Sequence, residues 1–173
     1  MFKEIVTKAV IGKAKKTSSG DYTLVPEEAP DTVLGCWVIN HAFNGTNNNG
    51  KVVINGSFDV NVWYSYDNDT KTAVSTKRFN YDDIMNINLK NNTTLNDKSE
   101  IIVRSLKQPT VTNVVSKNGS VFLTIEKELG VEIIGDTKLK VSVEEDEDEY
   151  EVIVDEKDIN EEIDSLNDNY LNE

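Results

Sequence analysis

From residue 58 the chain reads FDVNVWYSYDNDTKT, in which apolar and polar side chains alternate until a run of turn formers interrupts them. Alternation with a period of two puts Phe58, Val60, Val62, Tyr64 and Tyr66 on one face of a strand and Asp59, Asn61, Trp63 and Ser65 on the other. The same period recurs in CWVINHAF (36–43), KVVINGSF (51–58), EIIVRSLK (100–107), TVTNVV (110–115), VFLTIEKEL (121–129) and TKLKVSV (137–143). Between these runs lie NGTNNNG, YDNDT, NNTTLND, SKNGS and IGDT, rich in the Asn, Asp and Gly that tolerate the positive φ of tight turns. Short strands at this spacing predict an all-β domain, an antiparallel β-sandwich or barrel-like fold.

Turn chemistry suggests the pairings. Asn118-Gly119 is the strongest hairpin signal, because a type I′ turn matches the twist of its flanking strands, and GDT at 135–137 is the next. Pro26 and Pro30 bracket a non-strand segment, and Pro109 is expected to separate 100–107 from 110–115, since it cannot donate to a ladder. At the N-terminus Phe2, Ile5, Val6, Ala9 and Val10 fit one helix face, while Ile5 to Ile11 is also β-branched enough for a strand. A short helical turn running into a strand is the preferred reading.

Charge divides the chain in two. The formal net charge is −13, but residues 144–173 hold 15 acids against Lys157 alone, leaving 16 acids and 17 bases in residues 1–143. A near-neutral all-β domain over 1–143 is therefore followed by an acidic, largely disordered tail over 144–173, in which EEDEDEY reads as a linker. Further on, Ile159, Ile163, Leu166 and Tyr170 form one stripe of a short amphipathic helix at 156–171, which is expected to dock a partner.

Cys36, the single cysteine, rules out a disulfide within the chain and points to a reducing compartment. The apolar run after Lys3 is short and broken by Lys8, so neither a signal peptide nor a membrane insertion is expected. Several Asn-x-Ser/Thr triplets read as turn residues rather than as glycan acceptors.

Little supports catalysis. His41 is the only histidine, and Cys36, five residues before it, falls on the opposite face of a regular strand, so the two cannot form a nucleophile pair. No second histidine or Cys-x-x-Cys completes a zinc site. Asp67-Asn68-Asp69 opens like a calcium loop, but Thr72 and Arg78 stand where that loop needs glycine and glutamate. Lys13, Lys15 and Lys16 form the one basic cluster, which the acidic tail outnumbers, so nucleic acid is not an expected partner. No catalytic residue, metal or cofactor is assigned.

What remains is a tryptophan on a wet strand face. Trp63, with Asn61 and Asp59 beside it, is expected to mark a self-association surface. The alternative is a carbohydrate-binding module that stacks sugars on Trp37, Trp63, Tyr64 and Tyr66, although the two tyrosines share the inward row.

LGCWVINHAF (34–43), FDVNVWYSYDNDTKTAVSTKRFNYDDI (58–84), VRSLKQPT (103–110) and ELGVEIIGDTKLKV (128–141) together resemble the spore coat protein E family, as do the opening FKEIVTKAV and the acidic tail. The most specific parts are WVINH and VNVWYSY followed by NDTKT; the tail matches in charge more than in order. The resemblance implies a non-enzymatic scaffold, made in the mother-cell cytoplasm and placed in the spore coat. It implies a protein that self-associates around the forespore, sits on an underlying coat layer and recruits other spore coat proteins. It offers no catalytic residues.

Overall fold

The computed structural model describes residues 1–90, 93–145 and 150–154. The described residues form seven strands: β1 (Phe2–Leu24), β2 (Thr32–Asn48), β3 (Lys51–Tyr66), β4 (Lys71–Met85), β5 (Glu100–Lys117), β6 (Ser120–Glu145) and β7 (Tyr150–Val154). They form two antiparallel sheets. In the first the order is β1-β6-β5, with β7 also paired to β6, and in the second it is β2-β3-β4.

Each sheet is built on its middle strand. In β3 the even-numbered row, including Val52, Ile54, Phe58, Val60, Val62 and Tyr64, is buried. In β6 the odd-numbered row does the same with Val121, Leu123, Ile125, Leu129, Val131 and Ile133. These two rows face one another and form one hydrophobic core. Burying a side chain of this size contributes about 1.5–3 kcal/mol, so the two middle strands supply most of the driving force.

The hairpin residues behave as their chemistry predicts. Asn49-Gly50 joins β2 to β3 with φ of 52° and 83°, and Asn118-Gly119 joins β5 to β6 with 53° and 78°. The β3–β4 turn places Asp67, Asn68 and Asp69 at φ of 55–60°, so the calcium-like triplet is a hairpin loop.

Four local expectations fail, each for a physical reason. The N-terminus is a strand throughout: residues 2–10 pair with β6, and the would-be helix stripe splits, with Phe2, Val6 and Val10 on one face and Ile5 and Ala9 on the other. No hairpin forms at 135–137, because β6 runs straight through it. Gly135 is there for space, since a Cβ would lie 2.6 Å from Ile11 Cδ1, at the β-bulge of β1. Pro109 interrupts the ladder between Lys107 and Thr110 without ending β5, which passes it through shifts of register. The runs 51–58 and 58–66 are a single strand in one phase.

The acidic tail is described only in part. β6 extends to Glu145, and Tyr150–Val154 pairs back onto Val141–Glu145. The helix expected at 156–171, with Ile159, Ile163, Leu166 and Tyr170, lies outside the described residues.

Candidate interaction surface

The odd-numbered row of β3 faces away from the core, and its members differ sharply. Trp63 is 43% exposed, whereas Asp59 and Asn61 are each only 8% exposed. Cross-strand neighbours account for the difference. Asp59 lies opposite Arg78 on β4, whose Nε and Nη2 donate to its two carboxylate oxygens at 2.8 and 3.2 Å, while Asn40 Nδ2 donates to it at 2.9 Å. These bonds, Arg78 first, hold its carboxyl below the usual carboxylate range. Asn61 Oδ1 accepts from Thr76 Oγ1 at 2.5 Å. Both polar residues are thus occupied within the sheet.

Trp63 instead has apolar company. It pairs with Gly35 on β2 and with Val74 on β4, and Trp37 stands next to Gly35 in the same row. A Cβ on Gly35 would sit 3.7 Å from the Trp37 ring and 3.8 Å from that of Trp63, so the glycine forms a floor between two indoles. Trp37, Ile39 and Val74 are exposed too. The result is an apolar patch on the outer face of the second sheet, bordered by the Asp59–Arg78 pair. Trp37, Ile39 and Val74 were not assigned to this surface from the sequence. The Gly35-x-Trp37-x-Ile39 row was readable, but the register that sets it beside Trp63 was not.

Tyr64 takes no part in the patch. It is buried, and its hydroxyl donates to Glu28 Oε2 at 2.6 Å. Tyr66 is partly buried and packs against the core. Two of the four aromatics proposed to stack sugars therefore face inward.

A polar cluster lies between the sheets. Lys127, only 5% exposed, comes from the inward row of β6. Its Nζ lies 3.2 Å from Asp83 Oδ2 and 4.0 Å from the centroid of the Tyr81 ring, and donates to Ser18 Oγ at 2.8 Å. His41 Nε2 bonds the Tyr81 hydroxyl at 2.6 Å, and burial lowers the histidine's pKa.

Here the expectation for Cys36 and His41 is corrected. A bulge between Ile39 and Ala42, with Asn40 at φ 56°, shifts the alternation, so His41 turns inward against Phe43 and Phe58 on the same side as Cys36. Sharing a face does not activate either group. The imidazole is engaged with Tyr81, and burial pushes the Cys36 thiol up, away from the reactive thiolate. Among the described residues no group of three or more His, Cys, Asp or Glu is placed to hold a metal ion, and no helix is long and apolar enough to cross a membrane.

The family model described as Outer spore coat protein E (CotE) matches residues 1–173, the whole chain. The chain belongs to the CotE family. Membership gives this protein a role in the outer spore coat and a place in that layer. No curated protein and no solved structure matches it. In this CotE protein Trp37 and Trp63 are both exposed on the outward face of the second sheet.

Proposed function

We propose that this CotE protein is a non-enzymatic scaffold that assembles with copies of itself around the forespore and recruits other coat proteins to the layer it builds. The observation that carries the reading is the pair of indoles, Trp37 and Trp63, held side by side on the outward face of the second sheet. Tryptophans in well-packed patches dominate association energies, and truncating one typically costs about 2 kcal/mol or more. Asn61 and Asp59 take the part of a fixed polar border, because Thr76 and Arg78 hold their side chains in place within the sheet.

Recruitment is assigned to the acidic tail. Burying Ile159, Ile163 and Leu166 would contribute about 1.5–3 kcal/mol each, with Tyr170 adding a ring at the end of the stripe. Ordering the segment offsets most of that gain, so a single tail binds weakly. Many tails on one array convert weak contacts into firm capture by effective concentration. The chain is made in the mother-cell cytoplasm and acts from the coat.

The test is sedimentation of the full chain over a concentration series, with Trp63→Ala and a version ending at Val154 alongside. The endpoint keeps β7, which pairs with β6. Wild type should form large, concentration-dependent species that Trp63→Ala weakens, while the shortened chain should still assemble but fail to hold other coat proteins. If the shortened chain falls apart into monomers, the two roles are assigned to the wrong parts.

A further inference from the structure

The first nine residues of β1 differ from the rest of the strand. Phe2–Val10 pairs with β6 on one side, and among the described residues no strand lies on its other edge. Coverage of that edge begins only at the bulge, where Lys90 N donates to Ile11 O at 2.8 Å and Leu89 bridges Gly12. Phe2 is 73% and Val6 66% exposed, an unusual state for apolar residues on an open strand edge.

Along one face of this segment the order is Phe2, Glu4, Val6, Lys8, Val10. That row is self-complementary when reversed. Antiparallel pairing with an identical strand about Val6 sets Phe2 opposite Val10, Glu4 opposite Lys8 and Val6 opposite Val6, while on the other face Ile5 meets Thr7 and Lys3 meets Ala9. A shift of two residues one way sets Phe2 against Lys8 and Glu4 against Val6. The opposite shift sets Val6 against Lys8 and Glu4 against Val10. Only the register centred on Val6 pairs every charge in the row with its opposite and every apolar residue with another.

The strand behind agrees. Within one chain Glu4 already lies opposite Lys140 and Lys8 opposite Asp136. Joining two chains in the stated register gives a line across four strands, Lys140, Glu4, then Lys8 and Asp136 of the second copy, with alternating sign throughout. The antiparallel arrangement also sends the two bodies to opposite ends.

We propose that the edge of β1 over Phe2–Val10 is a two-fold docking surface for a second copy of this chain, joining the first sheets of two molecules into one continuous sheet centred on Val6. This rests on the self-association put forward above and adds a closed, symmetric contact distinct from the tryptophan face. Two different contacts per molecule, one of them two-fold, are what a layer needs in order to extend.

The test uses full-length chains carrying Trp37→Ala and Trp63→Ala, so that the edge contact is read without the other. Glu4→Lys and Lys8→Glu should each weaken the dimer, on the order of tenfold in Kd, by creating two like-charge pairs. Mixing the two variants should restore it as a heterodimer, since both contacts regain opposite charges. Independently, in the otherwise wild-type chain, Val6→Cys should form a 6–6 disulfide under mild oxidation, and Phe2→Cys mixed with Val10→Cys should link 2 to 10. Neither of the latter should link efficiently to itself. If the wild type assembles but the charge variants behave like their parent and no 6–6 or 2–10 link forms, the edge contact is wrong and self-association stands. If the wild type is monomeric throughout, the functional reading itself fails.

Discussion

The two sheets differ at the middle of their outer faces. On the first, the outward positions of β6 are tied to their neighbours by polar contacts: Glu128 accepts from Thr17 at 2.8 Å, Glu126 pairs with Lys107 at 2.9 Å, and Thr124 donates to Asp21 at 3.0 Å. On the second, the corresponding middle of the sheet carries Trp37, Trp63 and Val74 with Gly35 between the rings. A face studded with acids resists stacking, because burying those charges against another sheet costs more than their pairing returns. The apolar face has no such defence. The contrast teaches that the proposed tryptophan contact belongs to the middle of one sheet, while the exposed apolar residues of the other, Phe2, Val6, Val115 and Phe122, lie towards its ends.

The sharpest way to break the contrast is to remove both indoles. Trp37→Ala with Trp63→Ala should weaken assembly by a hundredfold or more, as roughly expected for two hot-spot truncations, while the far-UV circular dichroism stays that of a β protein. A smaller effect should follow from making the second face resemble the first. Val74→Lys puts a charge directly opposite Trp63, and by desolvation cost it should raise the assembly concentration about tenfold in light scattering.

Below these in size is a pH effect confined to the interior. Burial lowers the pKa of His41 from its ordinary 6.5, so the unfolded chain takes up the proton more readily than the folded one. The histidine's contribution is complete at neutral pH and declines as pH falls below about 6.5. The denaturant midpoint should therefore drop between pH 7 and pH 5, and His41→Gln should flatten that slope. Least of all should come from the polar middle of the first sheet's outer face. Lys107→Ala removes an exposed ion pair and is expected to change stability by under about 1 kcal/mol in urea titrations, with no change in assembly.

The pattern of the sequence revealed the core of β3 and the hairpin at Asn118-Gly119, because alternation and turn chemistry are local properties; NGTNNNG read as a turn throughout, whereas β2 runs on to Asn48 and only Asn49-Gly50 turns. It could not reveal the partner of a strand far away in the chain. Nothing near Thr17 says that it sits beside Glu128, 111 residues on. For the same reason Trp63 and Trp37 could be named together as stacking aromatics, while Tyr64 and Tyr66 had to be removed from that group and Val74, opposite Trp63, could not be added to it. Bulges concealed the rest. Asn40 at a positive φ turned His41 inward, and the bulge of β1 beside Ile11 demanded a glycine at 135 that read as a turn. Asp59 looked solvent-facing until its opposite neighbour proved to be Arg78.

The most direct measurement compares sedimentation of the full-length wild type with that of Trp37→Ala/Trp63→Ala from low to high concentration. Wild type should move into large species as concentration rises, and the double variant should stop at a dimer with unchanged secondary structure. A wild type that stays small at every concentration, or a double variant that assembles as the wild type does, would contradict the assignment of the second sheet's outer face as the surface through which this protein builds its layer.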